Sequence, residues 1–260
     1  MVYKRIIYSL LYSKGFFHLS RNFRLQQVGD VEWLKNNFGF GETCDHIDEL
    51  MIILVTKNPD ENEIINYFKD VKKLKEKIFV PLILGGGIRT FDQARNCFSN
   101  GADKILINQL AHEKNEIVNK VAKVYGEQAV TLMVDYKKIE NINYSFSNSA
   151  EKKSMALKDY FENIKNLNFG EIIINSIEKD GSAQGLNLDC LKDLTINFNK
   201  PVLLMGGAGK PDHFISTLKK KEVSGIVTAN LFNFLGDGLK KARSFSIDKG
   251  IRLIEFQNIQ

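Results

Sequence analysis

The chain has 260 residues, of which 43% are hydrophobic and 26% are charged, and its formal net charge is +5 at pH 7. No apolar run approaches the ~18 residues that a membrane span requires, and the first residues lack the small-residue cleavage site of a secretory signal. Cys44, Cys97 and Cys190 are too widely spaced to suggest a metal cluster. No basic stripe interleaves with aromatic residues, as a nucleic-acid site would require. The sequence therefore predicts a cytoplasmic protein without a metal or cofactor.

In chain order, short apolar or β-branched runs alternate with amphipathic patterns of helical period. The runs read as strands that are buried on both faces, as in a parallel sheet. The polar stretch 139–153 is too long for a minimal turn and predicts a small hairpin or flap over one end of the sheet. Strands are predicted near 5–11, 48–54, 79–84, 103–108, 129–135, 171–175, 201–205 and 225–229, and helices near 30–37, 60–76, 91–100, 113–125, 155–167, 188–196, 211–220 and 236–247.

One pattern occurs twice, at 81–110 and again at 201–231. In each copy a proline opens an apolar run, a pair of glycines follows, an Asp-led helical pattern comes next, and a second apolar run ends in amide side chains. Such a repeat of strand, turn, helix and strand predicts parallel strands joined by helical crossovers. Two such halves fit an α/β fold, the (β/α)8 TIM barrel, whose usual length is about 250 residues. We expect a single domain over 1–260.

Both copies also predict a phosphate site. Glycine-rich turns that lead into helix N-termini bind anions through free backbone N–H groups, and in barrels these turns lie at the carboxyl ends of the strands. The alternative is that the glycines only allow tight turns with positive φ. Two such sites on opposite sides of one barrel mouth would suit a small molecule with two phosphates. The first site comprises Gly85, Gly86, Gly87, Asn108 and Gln109, and the second comprises Asp180, Gly181, Gly206, Gly207, Ala229 and Asn230.

Several strings, in order along nearly the whole chain, resemble the cyclase subunit of imidazole glycerol phosphate synthase. They are YKRII, DELMIIL, VPLILGGGIRT, GADKILIN, VDYKK, GEIIINSIEKDG and GGAGKPDHF. The resemblance implies a (β/α)8 barrel that forms a heterodimer with a glutaminase subunit docked at its N-terminal face. It further implies that ammonia crosses the barrel core and reacts with a ribulosyl-formimino nucleotide, which carries two phosphates.

The resembled family uses one aspartate at the end of strand one and another at the end of strand five. The second is retained as Asp135, whereas Leu11 stands at the first position, and the internal repeat also places Leu11 opposite Asp135. Leu19 and Leu54 stand where the family has a lysine and a further aspartate, and Ala229–Asn230 replaces a pair of small hydroxyl residues. Leucine cannot exchange a proton, and losing a positioned acid or base typically costs 10²–10⁴-fold in rate.

Four charged residues begin predicted strands, and their signs alternate around the barrel: Arg5, Glu49, Lys104 and Glu171. Charges at the base of an apolar barrel are costly unless paired, which predicts a ring of salt bridges. The resemblance implies that this ring is the gate through which ammonia enters, and that the neighbouring Asp103 faces the glutaminase. The alternative is that the four charges form a structural plug.

These features favour a barrel that keeps the ammonia entrance and has lost part of the cyclase site. Our first hypothesis is a paralogue that works with a glutaminase and delivers ammonia to a third protein, an amidotransferase, as in the amidation of sugars for bacterial surface polysaccharides. The second is a true cyclase of histidine biosynthesis in which Asp45, Asp48, Glu140 or Asp180 replaces the missing acid. The third is a barrel that binds a phosphorylated ligand without catalysis.

Overall fold

The structure, a computed structural model, describes residues 3–37, 44–76, 78–113, 115–194, 198–229 and 238–254. Within these ranges no helix is both long enough and apolar enough to cross a membrane. Asn230, the last residue of the second predicted phosphate site, lies outside the described residues.

Eight parallel strands form the predicted barrel. Each lies within a few residues of a strand predicted from the sequence, and most of their side chains are buried. The strands are β1 (Arg5–Ser13), β4 (Glu49–Leu54), β5 (Leu82–Gly85), β6 (Lys104–Ile107), β7 (Val130–Ile139), β10 (Glu171–Ser176), β11 (Val202–Met205) and β12 (Val223–Thr228).

The sheet closes on itself. The order is β1, β4, β5, β6, β7, β10, β11 and β12, and β12 pairs with β1 in parallel. The register places Ile7 beside Glu49, and Asn175 beside Asp135. Because each strand after the first follows a crossover, all carboxyl ends lie at one mouth of the barrel. The predicted fold class is therefore confirmed.

Helices cover the outside of the barrel, and their starts follow capping chemistry. Thr90 and Gln93 form a reciprocal capping box at the start of one helix, and Asp60 accepts the backbone N–H of Glu63 at another. The helices are α1 (Val31–Asn37), α2 (Glu61–Lys75), α3 (Phe91–Ser99), α4 (Gln109–Glu113), α5 (Asn115–Tyr125), α6 (Leu157–Ile164), α7 (Pro211–Leu218) and α8 (Gly238–Asp248).

The helix predicted near 113–125 corresponds to α5, Asn115–Tyr125, and residue 114 lies outside the described part. One other helix prediction needs correction. Over 188–196 the described residues form only a 3₁₀ turn, Asp189–Asp193. The turn is short because Leu194 already has an extended backbone, which ends the helical hydrogen bonding.

The apolar core has two layers. An inner cluster fills the barrel with side chains from alternate strand positions, and an outer cluster lies between the strands and the helices. This division follows from the two-residue period of a strand, which sends successive side chains to opposite faces. The inner cluster contains Ile7, Leu11, Met51, Ile53, Ile83, Leu106, Met133, Ile173, Leu203, Met205 and Val227.

Two antiparallel extensions cover the mouth. Strand β1 continues into β2 (Phe16–Arg21) and β3 (Arg24–Gly29), and β7 continues into β8 (Ile142–Ser147) and β9 (Lys152–Ala156). The sequence predicted a hairpin or flap at the second place, and a hairpin is present there. It did not predict the first. Strands one and five of the barrel are thus each extended by a hairpin, so the internal repeat includes these covers.

Candidate functional site

The N-terminal end of the barrel carries a closed ring of four salt bridges, as the alternating charges predicted. The Arg5 guanidinium donates to Glu49 and to Glu171 at 2.6 Å each. The Lys104 ammonium lies 2.9 Å from Glu49 and 3.0 Å from Glu171. The Thr131 hydroxyl also donates to Glu171, at 2.9 Å. We call Arg5, Glu49, Lys104 and Glu171 the charged ring.

The two acids of the charged ring are more buried than its two bases. Glu49 and Glu171 are 5% and 4% exposed. Burial alone would raise the pKa of the Glu171 carboxyl, but Arg5 and Lys104 outweigh it and hold that pKa below its ordinary value. The two cations of the ring therefore favour the ionised form of Glu171.

Asp103, which was predicted to face a glutaminase, lies beside the ring and is exposed. Its carboxylate accepts the backbone N–H of Leu82 at 2.8 Å, so it also holds the start of β5. Asp48 does the same for β1 by accepting the N–H of Ile6 at 2.7 Å. A contact between Asp103 and another subunit remains a prediction.

At the opposite end of the barrel lies a cavity of about 530 Å³. Its walls combine inner-cluster side chains with residues from the Gly-rich turn after β5 and from both hairpins. The Lys57 ammonium, which lines the cavity, pairs with Glu151 in the β8–β9 turn. A cavity at the carboxyl ends of the strands is the usual location of a site in this fold. The apolar lining includes Leu11, Ile53, Leu54, Leu106, Met133 and Met205.

Asp135 is the buried acid of this cavity, with 2% of its surface exposed. The Asn108 amide donates to one carboxylate oxygen and the Asn175 amide donates to the other, both at 2.7 Å. Burial raises the pKa of Asp135 to about 6, against the lowering effect of the two amide hydrogen bonds. Asp135 is thus ionised at neutral pH and close to its titration range.

Leu11, the predicted replacement for the second acid, is 8% exposed and belongs to the inner apolar cluster. It lines the same cavity as Asp135. Leu54 lines this cavity as well, whereas Leu19 lies on β2 of the first hairpin and pairs with Gln26 of β3. All three positions therefore carry an apolar side chain, two of them in the cavity wall and one on the first hairpin.

In the first predicted phosphate site, the two glycines differ in what surrounds them. Gly86 has φ +101°, and a Cβ there would collide with the Leu54 carbonyl oxygen. Gly87 has φ +65° and open space around a built Cβ, so its backbone faces the cavity freely. Gln109 lines the cavity too, and its amide donates to Glu113 at 2.8 Å. This turn leaves room for an anion beside Gly87, and phosphate binding there remains a prediction.

The second predicted phosphate site is packed against neighbouring loops. Gly206 and Gly207 have φ +95° and +100°, and the Gly207 carbonyl accepts the N–H of Gly185 at 2.7 Å. A Cβ on Gly207 would collide with the Gly185 carbonyl. Ala229 follows β12 at the same end of the barrel. The close approach of Gly185 explains the Gly207 position without a ligand, so the phosphate role of this turn remains a prediction.

Asp180 and Gly181 hold the first hairpin. The Asp180 carboxylate accepts the Ser20 hydroxyl at 2.5 Å and the Phe23 N–H at 3.0 Å, and its carbonyl accepts the Asn22 N–H at 3.1 Å. Gly181, at φ +63°, lies directly beneath Ser20. The loop after β10 thereby fixes the cover of β1, a role that the sequence did not predict for these two residues.

Asn175 is the residue of the cavity that sequence reasoning missed. It is the penultimate residue of β10 and pairs with Asp135 of β7, so the register of these neighbouring strands brings the two together. A signal was present, because an amide in the apolar run GEIIINS is unusual for a strand buried on both faces. Among the described residues, no group of three or more His, Cys, Asp or Glu side chains could hold a metal ion.

The fold and both polar ends define a (β/α)8 barrel protein with a charged ring at its base and a ligand-sized cavity at its mouth. A family model described as "Histidine biosynthesis protein" matches residues 44–236. The chain belongs to this family. It is 37% identical, over 92% of its own length and 89% of the relative's, to a candidate imidazole glycerol phosphate synthase subunit, hisF2, of Parasynechococcus marenigrum.

Other relatives carry the name imidazole glycerol phosphate synthase subunit HisF. The Chlorobium limicola protein is 28% identical over 96% of this chain and 98% of the relative. The Natranaerobius thermophilus protein is 30% identical over 79% of this chain and 82% of the relative. The chain is therefore HisF-like along nearly its whole length, which confirms the resemblance at the level of the family.

Proposed function

We propose that this chain is the ammonia-receiving barrel of a glutamine-dependent amidotransferase complex, and that it delivers ammonia to an acceptor other than the ribulosyl-formimino nucleotide. A glutaminase subunit would dock at the N-terminal face, where the charged ring lies. The observation that carries the proposal is Leu11, an apolar side chain in the cavity wall where the resembled family has its second acid.

The charged ring supports the entry half of this proposal. Its two positive and two negative side chains balance, and each carboxylate contacts both cations. Above the ring the barrel is filled by apolar side chains. Neutral ammonia can enter such an interior far more cheaply than an ammonium ion, because an isolated charge in a low-dielectric medium has a large desolvation cost. A movement of Lys104, whose single ammonium group contacts both carboxylates, would open one side of the ring.

The residues at the mouth of the barrel support the second half of the proposal, delivery of ammonia to another acceptor. Asp135 remains on β7, whereas the position of the second acid is occupied by Leu11, whose side chain cannot exchange a proton. Two positioned acid–base groups are needed for a ring closure with two proton transfers, and one alone is expected to leave the rate lower by about 10²–10⁴-fold. An open cavity in which Leu11 replaces one of the paired acids suits passage toward another protein, such as an amidotransferase for a surface sugar.

The competing reading as a cyclase depends on a substitute acid. Asp48 is bound to Arg243 at the N-terminal end of β4, and exposed Asp45 precedes the same strand. Glu140 lies at the tip of the β7–β8 hairpin. Asp180 lines the cavity, and the first hairpin already uses its carboxylate. Asp180 is thus the one acid of these four that a cyclase mechanism could recruit, after the hairpin moves.

The experiment that tests the proposal compares the natural chain with Leu11→Asp. Purified protein is supplied with the ribulosyl-formimino nucleotide and ammonium chloride at mildly alkaline pH, and imidazole product is followed. We expect no turnover by the natural chain. Turnover near an ordinary enzyme rate of about 1 s⁻¹ or more by the natural chain would overturn the proposal and establish the cyclase reading.

A second measurement tests the partner. The candidate glutaminase is the HisH-like protein of the same organism, and its glutamine hydrolysis is measured with and without the barrel. We expect a one-to-one complex and faster hydrolysis in it. A glutaminase that neither binds the barrel nor changes its rate would refute the entry half of the proposal, whatever the result with Leu11→Asp.

A further inference from the structure

The wall of the mouth cavity on the side of β1 and β4 is continuously apolar. Leu11 and Ile53 are neighbours in the register of these two strands. Val55 extends the pairing, because its N–H donates to the Tyr12 carbonyl at 2.9 Å, and it lies on the same face as Ile53, two residues earlier. All three side chains line the cavity. We call Leu11, Ile53 and Val55 the apolar patch.

The first hairpin adds apolar side chains to the cover of the same cavity. Phe23 and Leu25 line it, and Leu25 keeps 46% of its surface exposed. Asp180 fixes this hairpin by accepting the Phe23 N–H at 3.0 Å, so the cover has a defined position. Apolar surface that a ligand removes from water contributes about 25 cal/mol per Å². Wall and cover together therefore favour a ligand with an apolar body.

The charged side chains of the cavity favour a negative group on that ligand. Lys14 and Arg89 line the cavity, both are exposed, and neither forms an ion pair within the described ranges. The carboxylates that line the cavity already have partners: Asp135 and Asp180 accept hydrogen bonds, and Glu151 forms an ion pair. The cationic groups that are still available to a ligand thus lie at the rim, and they complement an anion.

We propose that the mouth cavity binds a small amphipathic anion, an organic molecule with an apolar body and one negatively charged group. The body would lie between the apolar patch and Leu25, with the charged group near Lys14 and Arg89. A sugar chain in the place of the body would lose water from its hydroxyl groups without gaining hydrogen-bond partners from the apolar patch. An inorganic anion would leave the apolar side chains in contact with water.

This inference goes beyond the proposed function, because it concerns what the cavity binds and not the source of the ammonia. The cavity volume of about 530 Å³ is in the usual range of about 300–1,000 Å³ for small-molecule sites. A ligand of this class would contact Leu11 directly, so the residue that removes an acid from the wall would also select the ligand.

The probe is 1-anilinonaphthalene-8-sulfonate, which joins aromatic rings to one sulfonate and fluoresces strongly where water is excluded. Fluorescence titration of the natural full chain gives its Kd, and a thermal unfolding scan gives Tm with and without it. We expect saturable binding and a raised Tm, because a ligand of the folded state stabilises that state. Sulfate at the same concentration should leave the fluorescence unchanged, because it has the charge without the apolar body.

Two variants at exposed positions separate the two halves of the proposed contact. Leu25→Ser removes an apolar contact and Arg89→Gln removes a charge, and we expect each to weaken probe binding about five- to tenfold. The matched controls are Ile65→Ser and Arg95→Gln, which change exposed residues of α2 and α3 outside the cavity lining. Both controls should leave the Kd unchanged.

Leu11→Asp tests the apolar patch itself, because a carboxylate there would repel the probe and interrupt the apolar surface. We expect it to bind the probe at least about tenfold more weakly. A probe that lowers Tm, that binds Leu25→Ser as tightly as Ile65→Ser, or that equimolar sulfate displaces would overturn the inference. None of these results would touch ammonia delivery, which the glutaminase measurement decides separately.

Discussion

Replacing Lys104 with methionine should destabilise the barrel and should do so in a pH-dependent way. The substitution keeps most of the side-chain length but removes the ammonium that contacts Glu49 and Glu171 at 2.9 and 3.0 Å. The two acids then share Arg5 alone, and the ring changes from neutral to a net charge of −1. Both carboxylates remain buried, so the excess charge has no route to solvent short of local unfolding or proton uptake.

The magnitude follows from burial. Removing one partner of a fully buried ion pair typically costs 3–5 kcal/mol. The Lys104 side chain is 18% exposed, so water already offsets part of its contribution. We therefore expect a loss of roughly 2–4 kcal/mol in the free energy of unfolding at neutral pH. The double variant Lys104→Met with Glu49→Gln, which restores a neutral ring, should recover about 1–2 kcal/mol of it.

The sign of the pH effect is fixed by the lowered pKa of Glu171. A carboxyl with a depressed folded-state pKa contributes stability above its unfolded pKa of about 4.3, and that stability is lost as pH falls through the folded value. In Lys104→Met the acid that has lost its partner takes up a proton more readily. The difference in free energy of unfolding between the natural protein and Lys104→Met should therefore shrink as pH falls from about 7.5 to about 4.

Urea denaturation of the natural, single-variant and double-variant proteins at both pH values measures these differences. A loss below about 0.5 kcal/mol, or one that is equal at both pH values, would mean that the four charges are not coupled. In that case the charged ring would be neither a plug nor a gate. Ammonium-driven and glutamine-driven product formation by Lys104→Met can be compared once the acceptor is known, and a gate predicts that only the second is altered.

Three further predictions concern the cavity and its supports. The pKa of Asp135 is about 6 in the folded protein, so between about pH 4 and 6 the folded chain binds a proton at this residue that the unfolded chain does not. The natural protein therefore loses stability as pH rises through this range. The free energy of unfolding of Asp135→Asn, relative to that of the natural protein, should rise by up to about 3 kcal/mol from about pH 4 to 6 in thermal or urea denaturation. Arg243→Met should cost about 3–5 kcal/mol, because Arg243 holds buried Asp48 through contacts of 2.8 and 3.0 Å; urea denaturation checks it. Gly181→Ala should speed hydrogen exchange in residues 16–29, because its Cβ would collide with the Ser20 carbonyl.

The fold was predictable because the signal was repeated. Pro81 and Pro201 open equivalent strands, and each is followed by a run too short and too apolar for anything but a buried strand. Arg5 and Glu171, far apart in sequence, could be placed at one end because parallel strands of a barrel all start there. Geometry of this kind depends on strand polarity and needs no knowledge of side-chain packing.

The first hairpin and the amides around Asp135 were harder to predict. Residues 16–29 contain Asn22 and Phe23 at positive φ, a turn that lacks the usual glycine signal for a hairpin. Its stability comes from Asp180, about 160 residues away, which no local pattern reveals. Asn175 likewise meets Asp135 only through the register of two neighbouring strands. Contacts that depend on register or on a distant loop are beyond what residue order shows.

The two cover hairpins bear on how this protein relates to its own duplicated ancestry. Each half supplies a barrel strand that runs on into an antiparallel cover, with Leu11 at the transition in one half and Asp135 at the transition in the other. The two halves therefore share the arrangement of barrel strand and hairpin, but one carries a leucine and the other a carboxylate at the equivalent position. A chimaera built from two copies of the second half would carry a carboxylate at both transitions, under two covers of the same origin, and would recreate by gene fusion the symmetrical acid pair that the natural chain lacks.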